Sequence, residues 1–212
     1  MAGLLLLADA VSTLVWQEPV SALYSRLQQG QLDDRLGQLE RTPPPPNERR
    51  LLARMRKPAQ RLAYSARSLD RRTDAGDPLG RIRMPSIGVA TVLVAGTNGA
   101  SLRRGPGHYP GTPLPGATGT VAVAGHRTTY GAPFRRLDRL AVGDRIELRM
   151  PYGRFVYRVE RTRIVPPTAV WVTNRVGYDR LILSACHPLY SAAKRIVVFA
   201  RLVEEHPDDS VA

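Results

Sequence analysis

The feature that most constrains the fold is the residue pattern from Leu79 onward, where short aliphatic and β-branched runs alternate with glycine and proline. Short runs of this kind, bounded by turn residues, are typical of the strands of a β-barrel or β-sandwich. Pro151-Tyr152-Gly153 and Gly143-Asp144 supply turns of the expected kind. The sequence therefore predicts an all-β domain with strands at Arg81–Met84, Val89–Ala95, Thr120–Ala124, Arg145–Met150, Arg154–Thr162, Leu181–Ala185 and Arg195–Leu202.

The preceding part of the chain has a different pattern. Leucines recur at near-helical intervals between Ser21 and Glu40, and again from Leu51 to Leu69 with a break near Pro58. Four consecutive prolines at 43–46 predict a stiff spacer between the two helical segments. We expect residues 19–78 to form a helical, proline-rich and arginine-rich stalk and linker, residues 79–203 the main domain and residues 204–212 a tail.

The first 18 residues contain an apolar run that Asp9 interrupts and that ends at Trp16. Read as a helix, the run spans about 21 Å, which is less than the roughly 30 Å hydrocarbon core of a bilayer. Two interpretations stay open: a partial membrane anchor, or a short amphipathic helix. We favour the anchor because such a run is costly to expose to water, although the arginines behind it would then lie outside the cell, against the positive-inside tendency.

The formal net charge of +13 is large and is carried mainly by arginine. Residues 48–72 hold nine basic and two acidic side chains, so more than half of the excess lies outside the predicted β-domain. One interpretation is a solvated basic segment beside a membrane, and the other is a polyanion site on a non-catalytic surface module. The basic residues are not interleaved with aromatic residues along strands, so we expect no nucleic acid partner.

A single cysteine, Cys186, excludes an intramolecular disulfide and a cysteine-based metal site. No glycine-rich loop joins a strand to a helix, and Asp179 is the only acid between residues 163 and 180. We therefore expect no nucleotide cofactor, no calcium and no other metal. A lone cysteine is by default a buried apolar residue, whereas outside the cytoplasm it is more often retained for its reactivity.

Three side chains occupy strand ends where thiol chemistry needs them. Cys186 ends an apolar run, and Arg195 begins the next run after a connection of eight residues. His126 follows a third run through Gly125. Catalysis by a thiol requires a nucleophile, a proton donor for the leaving amine and positive charge near the oxyanion, and a guanidinium close by favours the thiolate.

Four histidines compete for the role of proton donor. His206 lies in the predicted tail, His187 points to the opposite face of its strand from Cys186, and His108 sits in a tight turn that suits a structural hydrogen bond. His126 remains. On spacing alone, its pairing with Cys186 competes with a chance arrangement.

Four blocks of sequence resemble sortases, and most closely the class E sortases of high-GC Gram-positive bacteria. They appear in the family's order and together cover about residues 79–203. They are Gly80–Ile82 with Met84–Val89, Gly105–Thr112, Gly125–Phe134 and Leu183–Pro188 followed by Arg195.

The resemblance implies an all-β, eight-stranded sortase-type barrel with short helices, preceded by the N-terminal helical segment. It also implies a cysteine transpeptidase in which Cys186 attacks the Thr–Gly bond of a sorting signal, His126 handles the amine proton and Arg195 holds the oxyanion. Class E enzymes favour Leu-Ala-x-Thr-Gly over Leu-Pro-x-Thr-Gly, and Tyr130 matches a tyrosine linked to that preference. Thr129 and Ala185 are the other expected substrate contacts.

One departure from the family pattern concerns the nucleophile segment. Ile182 and Ala185 stand where sortases usually carry threonine, so subclass and substrate fit are less constrained than the reaction. The partners implied are surface proteins with C-terminal sorting signals, a lipid-linked peptidoglycan precursor that supplies the amine, and the membrane. The implied location is the cell membrane, with a single span and the catalytic domain outside.

Overall fold

The computed structural model describes residues 19–208. Its helices are α1 (Pro19–Arg41), α2 (Pro46–Arg54), α3 (Pro58–Arg72) and α4 (Gly99–Arg104). Its strands are β1 (Pro78–Met84), β2 (Val89–Ala95), β3 (Gly107–His108), β4 (Thr120–Ala124), β5 (Arg145–Met150), β6 (Gly153–Val165), β7 (Arg180–His187) and β8 (Lys194–Pro207). No helix within this range is long and apolar enough to cross a bilayer. The anchor predicted at residues 1–18 lies outside the described residues.

The eight strands close into a barrel in the order β1-β2-β3-β4-β7-β8-β6-β5, which confirms the predicted fold class. The pairs β2–β3 and β4–β7 are parallel, and the other neighbours are antiparallel. Seven strands contain the predicted runs. The remaining strand, β3, is not predicted from the sequence because a strand of two residues is too short to display an alternating pattern.

Side chains alternate between the two faces of the barrel wall, as the pleat of a strand requires. The inward side chains of β4, β7 and β8 include Val123, Leu183 and Val198, which belong to the main core. The outward side chains Ala122, Ile182 and Phe199 form a second, smaller core. The connection between β6 and β7, which includes a short 3-10 helix at Val170–Thr173, covers this outer core.

The expectation of a stalk at residues 19–78 is corrected by how these helices pack. Leu32 and Leu36 of α1 are fully buried against β2, and Leu62 of α3 belongs to the main core together with barrel residues. Most arginines of α2 and α3 are exposed, while Leu62 and Leu69 of α3 pack in the barrel core. The helices are amphipathic as the sequence predicts, but the surface that their apolar faces cover is the barrel of the same domain.

The predicted tail is also corrected in part, because β8 continues to Pro207. Its last residues pair with the start of β6, and His206 lies opposite Arg154. Long antiparallel pairing keeps this charged segment in the sheet although its composition resembles a tail. Residues 209–212 lie outside the described range.

Candidate active site

Cys186 and Arg195 are directly opposite each other in the antiparallel register of β7 and β8. Directly opposed residues project from the same face of a sheet, with Cβ atoms about 5 Å apart. Cys186 is a half-buried free thiol, so its sulfur is neither sealed in the core nor fully in solvent. The register thus brings a nucleophile and a guanidinium together at one edge of the barrel.

His126 reaches the same place through the parallel pairing of β4 with β7. Every pair in that register, from Thr120 with Arg180 to Ala124 with Ser184, is offset by 60 residues. His126 and Cys186 are separated by the same number, and the Gly125 amide continues the pairing by donating to the Ser184 carbonyl at 3.0 Å. His126 therefore lies level with Cys186 on the neighbouring segment.

Strand alternation also decides which face the three residues share. Ala185 and Ile196 belong to the inward core, so their neighbours Cys186 and Arg195 project outward. His126 has the outward parity of Ala122 in β4. All three candidate catalytic residues are thus on the outer side of the barrel wall.

The same alternation corrects the role expected for Ala185. Its side chain is 4 % exposed and packs in the main core, so the methyl group does not face the outer site. Only the backbone of Ala185 runs past that face. A threonine at this position would therefore point its hydroxyl group into the core and not toward the outer site.

Arg127 is a residue of the site that the sequence did not single out. It is 3 % exposed, and its Nη1 donates to the carbonyl of Cys186 at 3.4 Å and to Nδ1 of His187 at 3.3 Å. Its Nη2 donates to the Arg135 carbonyl at 3.3 Å and pairs with Asp138 at 3.0 Å. An arginine in a polar loop is normally solvated, and only its position between His126 and the loop hinted at a role. The guanidinium ties the segments that carry His126 and Cys186 to each other.

Tyr130 lies beside the imidazole of His126, with ring centroids 5.3 Å apart. Tyr130, Gly131 and Ala132 all have left-handed backbone conformations, with φ values of 51°, 73° and 41°. Two of these residues are not glycine, so the loop holds a conformation that L-residues adopt at a cost. The turn closes where the Ala132 amide donates to the Thr129 carbonyl at 2.9 Å. Thr129 is half-buried in this turn, and the loop fixes the Tyr130 ring next to His126.

The electrostatic environment of His126 disfavours its charged form. Burial lowers the pKa of His126 below its ordinary value, and the nearby Arg103 guanidinium lowers it further. Arg103 stands over the Tyr130 ring at 5.8 Å. This arginine was missed because α4, which carries it, is too short to show a periodic pattern.

Arg195 is held by the turn between β7 and β8. Its Nη1 donates to the carbonyls of Ala192 and Lys194 at 2.9 and 3.0 Å. The head group therefore lies against the turn backbone, next to the position of the thiol.

The remaining histidines have structural surroundings. His108 is 3 % exposed and its Nε2 donates to the Pro113 carbonyl at 3.1 Å, which agrees with the predicted structural role. Burial lowers the pKa of His108. His187 accepts from Arg127, as described above. Within residues 19–208 no three His, Cys, Asp or Glu side chains cluster closely enough to hold a metal ion.

Comparisons with known proteins agree with this geometry. The sortase domain family model matches residues 82–203. Sortase D of Bacillus subtilis is 32 % identical over 135 residues, which is 61 % of this chain and 66 % of that protein. Sortase SrtE1 of Streptomyces coelicolor is 31 % identical over 150 residues, covering 63 % of this chain and 43 % of that protein. The chain therefore spans just under two thirds of the first relative and less than half of the second.

A solved structure shares the fold as well. The crystal structure of sortase E1 from Streptomyces coelicolor with a tripeptide in the active site superposes with a TM-score of 0.59 at 27 % identity. The alignment covers 65 % of this chain and 98 % of that one. With a matching domain over more than half of its length and a closed eight-stranded barrel, this chain belongs to the sortase family of cysteine transpeptidases.

Proposed function

We propose that this protein cleaves a Leu-Ala-x-Thr-Gly or Leu-Pro-x-Thr-Gly sorting signal between Thr and Gly and transfers the acyl product to an amine of a cell-wall precursor. The observation that carries the proposal is that Cys186 pairs with Arg195, while the parallel pairing of β4 with β7, continued by the Gly125 amide, leads to His126 at the level of Cys186. A thiol, an imidazole and a guanidinium are the three groups that acyl transfer through a thioester requires.

The first half of the reaction forms the thioester. The Cys186 thiolate adds to the carbonyl carbon of the signal threonine, and Arg195 stabilises the negative oxygen of the tetrahedral intermediate. The C–N bond to glycine then breaks, and the His126 imidazolium donates its proton to the departing amine.

The second half regenerates the enzyme. The acceptor amine adds to the thioester carbon and gives a proton to His126, and the C–S bond breaks to release the thiolate. Water is the slow substitute for the amine. The same imidazole serves as acid in the first half and as base in the second, so the enzyme ends the cycle with the proton it started with.

The preference for alanine or proline in the signal is part of the same proposal. Tyr130 is held beside His126 by the left-handed turn, so its ring contributes to the wall that an incoming peptide meets. Thr129 precedes it in that turn. We assign Leu-Ala-x-Thr-Gly as the favoured signal, and replacing Tyr130 with Leu should narrow the difference in kcat/KM between the alanine and proline peptides.

The apolar run in residues 1–18 supports a proposal for the cellular setting. We propose attachment to the cell membrane by a single span, with the catalytic domain outside. The donor partners are surface proteins with C-terminal sorting signals, and the acceptor is a lipid-linked peptidoglycan precursor. Accessibility of the domain to protease added to intact cells tests this orientation.

A direct experiment compares the full chain with its Cys186→Ala variant on both peptides, with an amine present and mass-spectrometric detection. The variant should keep the melting temperature and lose both cleavage and transfer. Ser184→Ala, which alters an outward position of the same strand without removing the thiol, is the matched control. Product formation by Cys186→Ala at the wild-type rate would refute the mechanism.

The alternative hypothesis is a non-catalytic basic module that binds polyanions. It predicts salt-dependent binding that needs the basic residues of 48–72 and is indifferent to Cys186. Membership of a transpeptidase family favours the enzyme, and the basic face of α3 lies on a helix whose other face belongs to the enzyme's core.

A further inference from the structure

A cavity of about 860 Å³ adjoins the candidate active site on the His126 side. Its walls are the first half of α1, the turn before β2 with the first residues of that strand, and residues 130–136 of the loop after His126. Arg26, Arg135 and Arg136 line it, and no carboxylate does. Three like charges around one cavity repel one another unless an anion enters between them.

These arginines have no acidic partner in the part of the chain that the structure describes. Nη1 of Arg135 is buried and has no hydrogen-bond partner, and its Nη2 donates to the Tyr190 hydroxyl at 3.4 Å. A buried guanidinium nitrogen without an acceptor is costly. The exposed side chains of Arg26 and Arg136 leave two further guanidinium groups available to an anion that enters the cavity.

Tyr130 connects this cavity to the reacting groups. It lines the cavity and also lies 5.3 Å from the His126 imidazole, ring centre to ring centre. A ligand in the cavity is therefore separated from the proton-transfer group by one aromatic ring. The acceptor must present its amine on the side of His126, because His126 takes the proton from that amine.

We propose that this arginine-lined cavity binds the diphosphate group of a lipid-linked amine acceptor. The inference rests on the proposed function and extends it to the acceptor subsite. Guanidinium groups bind phosphate oxygens in a bidentate way, and several of them suit a group with more than one negative charge. The cavity volume falls within the roughly 300–1,000 Å³ of typical ligand pockets, so it accommodates a diphosphate with part of its attached sugar.

Binding can be measured apart from catalysis in the Cys186→Ala background. The probes are a short-chain lipid-linked precursor analogue with the diphosphate, the same analogue without it, and inorganic diphosphate alone. The test variant is Arg26→Gln with Arg136→Gln, because both side chains are exposed and make no described hydrogen bond. The matched control is Arg41→Gln with Arg139→Gln, which removes equal charge from the same helix and the same loop outside the cavity.

The test variant should bind the diphosphate analogue about tenfold or more weakly per removed guanidinium, and the control should bind as the parent does. The analogue without diphosphate should bind weakly and equally to all of them. Inorganic diphosphate should compete with the lipid-linked probe, and this arm separates recognition of the diphosphate from recognition of the lipid. Equal affinity of the test and control variants for the diphosphate analogue would overturn the assignment.

Kinetics with active protein distinguish the two proposals. Arg26→Gln with Arg136→Gln should raise KM for the diphosphate acceptor while peptide hydrolysis and transfer to hydroxylamine stay at the wild-type level. Absence of both hydrolysis and transfer in the wild type would contradict the proposed function, and the binding comparison would still decide the cavity. An unchanged KM for the diphosphate acceptor counts against the subsite alone.

Discussion

Cys186 in β7 lies directly across from Arg195 in β8, so the thiol and the guanidinium share one face of the barrel wall. The relationship depends on the antiparallel register, in which a six-residue turn at 188–193 joins the two strands. The Arg195 guanidinium donates to the carbonyls of Ala192 and Lys194, which hold it at this end of the barrel.

We predict that Arg195→Ala lowers kcat/KM for the signal peptide by about 10²–10³, the loss typical of one oxyanion donor. The melting temperature should hardly change, because the side chain makes its contacts at the exposed turn. Arg195→Lys should recover only part of the rate, since an ammonium cannot reproduce the planar fork. Lys194→Ala, which removes the neighbouring exposed cation, is the control. Activity of Arg195→Ala within threefold of this control would contradict the role.

The pH dependence of turnover should change when Arg103 is replaced. Burial and Arg103 both lower the pKa of His126, so the imidazolium form that we propose as the proton donor is lost as pH rises through that lowered pKa. Arg103→Gln removes the like charge and should move the His126 limb of the kcat/KM profile to higher pH. Titration of the His126 ring by NMR should show a shift in the same direction. Arg83→Gln, an exposed change on β1, serves as the control, and no shift beyond this control would count against the electrostatic coupling.

Arg127 should behave as a positioning residue for the nucleophile. Arg127→Met leaves the Cys186 carbonyl and Nδ1 of His187 without this donor, and we expect a loss of about 1–3 kcal/mol in the free energy of unfolding. Arg127→Lys keeps the charge but not the fork, so stability should largely recover while kcat falls by up to about 10²-fold from misplacement. Urea denaturation and kinetics on the same samples separate the two effects. Wild-type kcat in Arg127→Lys would show that the contact is structural only.

The helices before the barrel should contribute to its stability. Leu62 fills space above Gly116 and Gly153, where a Cβ atom added to each glycine would lie 3.1 and 2.9 Å, respectively, from the leucine side chain. Leu62→Ala should lower the free energy of unfolding by about 2–5 kcal/mol. Leu51→Ala is the control, because that side chain is 42 % exposed.

Removal of residues 1–78 should destabilise the protein further, because it uncovers the same part of the core that Leu62 fills. Thermal and urea denaturation of the truncated chain beside the full chain measure the difference. If the truncated and full chains gave the same unfolding curves, residues 19–78 would be a stalk that adds no stability to the barrel.

Much of the barrel was predictable because strand patterns are local. Seven of the eight strands were found from alternating apolar runs and turn residues, and the position of Cys186 at the end of such a run suggested the site. The helical periodicity of α1 and α3 was equally readable. The two-residue β3 and the short α4, with Arg103, carry too few residues for a period to be seen.

What the sequence by itself determined is the residue types, their places at strand ends and the apolar faces of the helices, since each depends on neighbours a few positions away. Only the tertiary structure decided the inward direction of Ala185 and the pairing of His206 in β8 with Arg154 in β6. It also decided the docking of α1 and α3 on the barrel and the contact of Arg127 with Cys186. These depend on the register between segments that are distant along the chain. A shift of one residue reverses every side chain of a strand, so the partner strand decides which groups meet.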